Sequence, residues 1–412
     1  MARGTMKDTP SMGRRGFLRA GAVAATAGVL PLESRPAGAA VGAAVARYVP
    51  LGRTHLEIAD ITFGSSRLRT GEEDLVKYAF DRGINYFDTA ESYTRGQSET
   101  VIGNALVGKR DKVIIASKTS TGGSTSRGEM MAALDGSLRR LRTDYIDVFF
   151  THAVNSVERL SNPEWHAFTE EAKRQGKIRF TGMSGHAGHL IECLDYAFDH
   201  DMVDVVLVAY NFGQDPKFYE KLTESYDFVA RQPDLPRVLA KAKQKNVGVV
   251  TMKTLMGARL NDMRRYEKNG ATFAQAAFRW VLGNPNVDAL TVSMTSEELI
   301  DEYLGASGST ALAYGDFELL KQYAHLNGTS YCRHACNDCE GACPYGVPIA
   351  DVLRTRMYAT HYNDLVFARD EYRQLEVAAS ACLSCSGEPC RNACTHGLHI
   401  DQLCAPTHRL LA

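Results

Sequence analysis

The chain has 412 residues, with 47 lysines and arginines against 48 aspartates and glutamates and 44% hydrophobic residues. That length carries one large core plus an appendage, and a net charge of −1 gives no basic field to gather a phosphate backbone or an anionic membrane, so neither is an expected partner. Eight of the ten cysteines fall between Cys332 and Cys394, which divides the chain into an almost cysteine-free body and a cysteine-dense tail.

Residues 1–39 read as an export signal. The twin arginine Arg14-Arg15 precedes Phe17-Leu18, and the uncharged, Ala/Gly-rich run Ala20 to Leu30 follows. The order basic, apolar, small is that of a secretory signal, and paired arginines with weak hydrophobicity favour the twin-arginine route. Ala37-Gly38-Ala39 offers a cleavage site, with Ala44-Val45-Ala46 as a second candidate. The alternative, a membrane anchor, needs ~20 apolar residues, and this run is shorter. No later segment is apolar enough to span, so the expectation is a protein exported to the periplasm or beyond, with no membrane span after cleavage.

From Ala59 to Met294 one pattern recurs: an apolar β-rich run, a polar or Gly-containing turn, then an amphipathic helix. The runs are Ala59–Ser65, Ile84–Asp88, Lys112–Lys118, Tyr145–His152, Ile178–Ser184, Val203–Asn211, Val247–Lys253 and Val287–Met294. Between them, Leu75, Val76, Ala79 and Phe80 share a helix face that Gly83 ends, and Leu134, Leu138 and Leu141 do the same in a longer helix. Near-continuous apolar runs such as Val205-Val206-Leu207-Val208 fit strands buried on both faces. Eight such units predict an α/β fold, a (β/α)₈ TIM barrel over 47–320; a doubly wound open sheet would give a similar local pattern. Tyr48 to Ile58 alternates about a Gly turn and predicts a short hairpin closing the barrel floor.

In such a barrel the chemistry sits where strands end, and the runs end on Asp88, Lys118, His152, Ser184, Asn211 and Lys253. Tyr93 lies five residues past Asp88, near enough to lean over the same mouth. Singly, each has a duller reading, as a cap, a solvated charge or a core histidine. Together they bring an acid, a phenol, a cation and an imidazole to adjacent strands. That set suits proton transfer to a carbonyl oxygen: an ammonium beside Tyr93 is expected to lower its pKa from about 10, Asp88 would hold that ammonium in place, and His152 would hydrogen-bond the oxygen as hydride arrives.

With these residues the sequence resembles the aldo-keto reductase superfamily. Ile84-Asn85-Tyr86-Phe87-Asp88-Thr89-Ala90-Glu91-Ser92-Tyr93 is similar to that family's strand-two motif, Ile115-Ala116-Ser117-Lys118 to its lysine strand, and Phe149-Phe150-Thr151-His152 to its histidine strand. The resemblance implies that Tyr93 is the general acid, Lys118 tunes it, Asp88 pairs with Lys118 and His152 orients the carbonyl of a small aldehyde, ketone or alcohol. It also implies NADP or NAD, with Ser184, Asn211, Met252, Lys253 and Ser293 as candidate cofactor contacts. Here the sequence departs from the family pattern. Gly185 replaces the Asn that follows Ser184, Leu207 stands at the usual Gln, Met252 at the stacking aromatic, and Ser293 and Leu299 at the basic pair that clamps the adenosine phosphate. Glu297 and Glu298 would repel a phosphate, so no preference between NADP and NAD follows.

The tail, 325–412, holds a duplicated module: Cys332, Cys336, Cys339 and Cys343-Pro344, then Cys382, Cys385, Cys390 and Cys394-Thr395. Two such sets look like ferredoxin-type modules carrying two 4Fe-4S clusters, with an extra residue in the first set, two in the second, and Thr395 at the usual Pro. In two-cluster ferredoxins the fourth cysteine crosses over, which would group Cys332, Cys336 and Cys339 with Cys394, and Cys382, Cys385 and Cys390 with Cys343; uncrossed grouping stays open. Zinc sites and disulfides are the alternatives. Cys193 reads as packing, and Cys404 lies outside the spacing. Asp351 to Ala381 reads as helix, making this a small α-helical iron–sulfur domain. Two functions follow: an exported carbonyl–alcohol oxidoreductase whose clusters relay electrons to a partner or shape the tail, or a non-turnover electron-transfer or partner-binding protein on a reductase scaffold with an eroded cofactor pocket.

Overall fold

The computed structural model describes residues 42–214, 234–256, 262–268, 270–327, 331–334, 336–362 and 364–412. The twin-arginine segment and its first cleavage site lie outside the described residues.

Strands β1 (Tyr48–Pro50) and β2 (Glu57–Ala59) pair as the antiparallel hairpin expected from their alternation. Eight parallel strands follow: β3 (Ile61–Gly64), β4 (Tyr86–Asp88), β5 (Ile114–Thr119), β6 (Ile146–Thr151), β7 (Ile178–Gly185), β8 (Val205–Ala209), β9 (Gly248–Met252) and β10 (Ala289–Ser293). Each predicted run contains one strand or most of it. β10 pairs with β3, with Leu290 opposite Ile61 and Ser293 opposite Gly64, so the sheet closes into a barrel and the open-sheet alternative falls.

Local chemistry starts and stops the outer helices. The helix Arg127–Leu141 opens on a capping box in which the Ser126 hydroxyl accepts from Glu129 N and Glu129 accepts from Ser126 N, satisfying two otherwise orphaned amides. Leu134, Leu138 and Leu141 are buried against the sheet, as their spacing predicts. In the helix Glu73–Asp81, Val76 and Ala79 are fully buried and Leu75 and Phe80 pack beside them.

The barrel interior is a separate core. Tyr86, Ile114, Ala116, Val148, Phe150, Val205, Leu207, Val250 and Ala289 fill it, and Val49, Leu51, Leu56 and Ile58 of the hairpin plug it from below. Gly52 makes that plug fit: it has φ +48°, and a Cβ there would lie 2.2 Å from Gly248 N at the start of β9.

The tail begins with the helix Tyr314–Asn327, whose Leu319, Leu320 and Tyr323 join the core outside the barrel. Beyond it a third core forms around Val347, Ile349, Val352, Ala368, Tyr372, Leu398, Ile400 and Leu411. The single helix expected over Asp351 to Ala381 is instead two helices, Ile349–Thr360 and Leu365–Arg373, with a short turn Ala379–Leu383. Asp364 breaks the run by capping the second helix, its carboxylate accepting from Phe367 N at 3.1 Å. Barrel and tail form one compact unit, Gly42–Ala412.

Candidate active site

Alternation along the strands aims the site. Tyr86, Ala116 and Phe150 point into the barrel, so Asp88, Lys118 and His152, two residues further on, point into it one layer higher. The same rule brings Ser184, Leu207 and Met252 to the cavity at the C-terminal mouth.

Lys118 has no solvent exposure and Asp88 3%. The Lys118 ammonium donates to Asp88 Oδ1 at 2.7 Å, to Oδ2 at 2.8 Å and to the Thr89 carbonyl at 2.6 Å, which uses all three of its protons. Burial pushes the lysine down and the carboxyl up, and each opposes the other's shift. The Tyr93 ring lies 4.9 Å from that ammonium and meets the His152 ring edge-on at 5.6 Å. The four predicted residues are thus brought together.

The expected tuning of Tyr93 by Lys118 is not what the structure holds. Burial first, then the charges of Asp88, Tyr358 and Glu371, raise the phenol well above its usual 10, because Asp88 has already neutralised the ammonium. Tyr93 is therefore a phenol throughout the ordinary pH range. Burial, then the positive charges of Lys118, Arg159, Lys253 and Arg354, hold His152 well below 6.5 and hence neutral.

The loops carrying these groups are held in costly conformations. Thr94 and Arg95, which follow Tyr93, have φ of +48° and +58°, and Ala153, which follows His152, has +51°. Thr94 is fastened by its hydroxyl, which donates to the Leu68 carbonyl and accepts from Ser98 N. The half-buried Arg159 donates to the carbonyls of Thr121, His152 and Ala153, holding the loop after β6. Nothing in the sequence pattern singles out Arg159.

Over the mouth lies the tail. Tyr358, His361, Tyr362, Asp364, Phe367 and Glu371 roof a cavity of about 290 Å³ whose floor holds the tetrad. The Lys253 ammonium, on a residue at φ +58°, donates to Tyr358 Oη at 3.0 Å, and burial with Arg354 nearby lowers its pKa to about 7. These roof residues were missed because no local periodicity reports a contact made across more than a hundred residues.

The candidate cofactor contacts divide. Ser184, Met252, Lys253 and Ser293 line the cavity, and Ser293 shares a 2.8 Å hydrogen bond with Ser66. Asn211 does not line it: its amide donates to the Lys253 carbonyl and its Oδ1 accepts from Gly213 N, so it buttresses the loops after β8 and β9. Gly185 is also closely packed, since a Cβ there would lie 2.6 Å from Leu190 Cδ1 and 3.3 Å from the Val154 carbonyl oxygen, so the family's asparagine would require Leu190 to shift. The cavity still suits a polar ligand. Arg67 Nε, His186 Nδ1, Thr254 Oγ1 and Thr291 Oγ1 are buried on its walls without a protein partner among the described residues.

The family model for the Aldo/keto reductase family matches residues 60–324. The chain belongs to that family. Among its relatives is the uncharacterized oxidoreductase YqkF of Bacillus subtilis, 26% identical over 297 residues, covering 66% of this chain and 95% of that protein. L-galactose dehydrogenase of Arabidopsis thaliana is 25% identical over 295 residues, covering 62% and 86%. Among solved structures, the holo form of an aldo-keto reductase from Bacillus halodurans shares the fold with a TM-score of 0.53 at 21% identity, covering 67% of this chain and 95% of its own. This aldo-keto reductase is an oxidoreductase, and the family match ends before Cys332, the first tail cysteine.

In the reductase's tail, Cys332, Cys336, Cys339 and Cys394 line one small cavity. Cys390 feels the charges of Cys343 and Cys382 instead, so the fourth cysteine of each set faces the other set. No disulfide joins any of the ten cysteines, all of which are described. Burial and the neighbouring sulfurs push Cys332 well up, Cys336 to about 11 and Cys339 to about 12. Cys404, outside the sequence pattern, lies beside Cys382 and lowers its thiol to about 7. Cys193 is buried packing, as its helix position suggested.

Proposed function

We propose that this is an exported oxidoreductase interconverting a small carbonyl compound and its alcohol by hydride transfer with a nicotinamide cofactor, and that its tail carries two 4Fe-4S clusters. The observation that carries the reading is the closed Asp88–Lys118 pair set against Tyr93 and His152 in one roofed cavity.

The cavity's donors fit an anionic, hydroxyl-rich cofactor: the Arg67 guanidinium, the Ser66 and Ser293 hydroxyls, and the Ser184 hydroxyl, which accepts from Ala153 N and keeps its proton to donate. When bound, the nicotinamide supplies or takes the hydride. Tyr93, kept a phenol, gives the proton to the carbonyl oxygen or receives it back. Neutral His152 hydrogen-bonds the same oxygen as oxyanion character grows, and the Lys118–Asp88 pair holds its ammonium 4.9 Å from the Tyr93 ring. The roof residues Tyr358 and Phe367 exclude water.

The thiols fit iron because Cys332, Cys336, Cys339 and Cys394 converge on one small cavity, and sulfurs gathered that closely call for a compensating cation. Cys332, Cys336, Cys339 and Cys394 would hold one cluster, and Cys343, Cys382, Cys385 and Cys390 the other. A cluster supplies one-electron transfer, which makes a redox partner part of the proposal. Export by the twin-arginine route, which moves folded proteins, agrees with a cofactor inserted beforehand. Of the two cleavage sites, the first fits better, because Val45 N and Ala46 N are already bonded to the Arg82 carbonyl and the Ser307 hydroxyl.

The departures at Gly185 and Leu207 favour a second reading, a scaffold that binds a redox partner without turnover. One experiment separates the two: purify the mature protein anaerobically, measure iron, sulfide and zinc, and record what denaturation releases. About eight irons with bound NAD(P) are expected. Zinc or no metal would overturn the cluster assignment, and the absence of any nicotinamide, bound or bindable, would overturn hydride transfer.

The pH profile follows from the same geometry. Tyr93, raised above 10, stays a proton donor as pH climbs to that value, and His152, depressed below 6.5, stays neutral as pH falls to that value. Neither group should therefore break the kcat of reduction between about pH 6.5 and 10. An alkaline break below pH 9 that disappears in Tyr93→Phe would contradict the burial-held phenol.

A further inference from the structure

Next to the roofed cavity lies a second one, of about 170 Å³, between the barrel mouth and the tail. His186 and His361 line both, so the two adjoin through a shared wall. The helix Ile349–Thr360 turns Arg354 and Met357 into the second cavity and Tyr358 into the first, as helical spacing requires, and Arg356 also lines the second.

We propose that this second cavity is an anion subsite, and that the reductase acts on small carbonyl or hydroxyl compounds carrying a carboxylate or phosphate group that docks there. The inference rests on the reductase reading of the first cavity. Its basis is a surplus of buried donors. Arg354, whose side chain is 11% exposed, forms an ion pair with one carboxylate, Asp351, which Asn155 also engages at 3.2 Å, and feels the more distant charge of Glu371. Arg354 Nε finds no acceptor among the described residues. His186, 6% exposed, has no partner for Nδ1 among the described residues. Arg356 forms no ion pair among the described residues. Burying cations and donors in this way is costly unless an acceptor arrives, and a guanidinium fork matches a carboxylate or phosphate. The field at the shared wall has the matching sign, since His186 is pushed down by burial and then by Lys253 and Arg354. A ligand spanning both cavities would place its anionic end by Arg354 and its reacting carbon by Tyr93 and His152.

Two arms test this on the full mature holoprotein. In calorimetry, inorganic phosphate should bind saturably at one site, at least tenfold more weakly in Arg354→Gln and in His186→Phe, with Arg354→Lys intermediate. No saturable binding by the wild type, or wild-type binding by every variant, overturns the subsite. In initial-rate kinetics, succinic semialdehyde should exceed its methyl ester by at least tenfold in kcat/KM, mainly through KM, and phosphate should compete with the aldehyde. Competition of phosphate with the nicotinamide alone would assign the cavity to the cofactor and overturn the proposal. Calorimetry needs no turnover, so an inert protein that binds phosphate as stated would sink the reductase reading and its substrate assignment but leave the anion site standing. Turnover without phosphate binding would sink the subsite alone.

Discussion

Tyr93→Phe is expected to lower carbonyl reduction by roughly 10²- to 10⁴-fold, the range by which a positioned proton donor accelerates such a step. The substitution keeps the ring, so its edge-on contact with His152 at 5.6 Å and its place beside the Lys118 ammonium persist. Among the described residues the Tyr93 hydroxyl makes no hydrogen bond to a protein group, and the variant should melt within about 0.5 kcal/mol of the parent. Loss of rate should fall on kcat more than on KM, because the proton moves only as charge develops on the carbonyl oxygen. Steady-state kinetics with any accepted aldehyde decide the matter, and a variant that turns over at the parental rate would remove Tyr93 from the chemistry.

Asp88→Ala should be the most destabilising single change in the site. It strands an ammonium with no solvent exposure, leaving only the Thr89 carbonyl of its three acceptors. Breaking a buried pair from one side costs about 3–5 kcal/mol, read here as a shift in urea midpoint. The double replacement Asp88→Leu with Lys118→Met removes both charges and should recover most of that loss while remaining inactive. The pH dependence has a definite sign. The lone lysine, already depressed by burial, falls further, so the penalty is full below its folded pKa and fades as pH rises toward the unfolded value of 10.5. A single variant as stable as the parent at pH 7 would show that the pair is not closed in solution.

The barrel was legible because its signals are local. Eight apolar runs with period-two neighbours fix both the strands and which residues face inward, so Asp88, Lys118 and His152 could be placed at one mouth before any contact was known. Tyr93 followed from its loop length. Asn211 misled because ending a strand does not decide which way a side chain turns: its amide was taken by the Lys253 and Gly213 backbone. The pKa of Tyr93 misled because Asp88, expected only to hold the ammonium in place, also cancels its field at the phenol, and burial, which no motif reports, then dominates. Tyr358, Glu371 and Arg354 were invisible as site residues, since only the docking of a separate helix pair onto the barrel brings them there, and no spacing within that pair reports its target.

That helix pair is strung between Cys343 and Cys382, one from each cysteine set, and it supplies the lid of the catalytic chamber. Chamber and thiol scaffold therefore share a fate. A rearrangement of the tail that moved this helix pair would part Tyr358 from Lys253 and open the tetrad to solvent. The tail is thus an interlock on the barrel, since the residues that shut the chamber keep their place only while the segment between the two cysteine sets keeps its own.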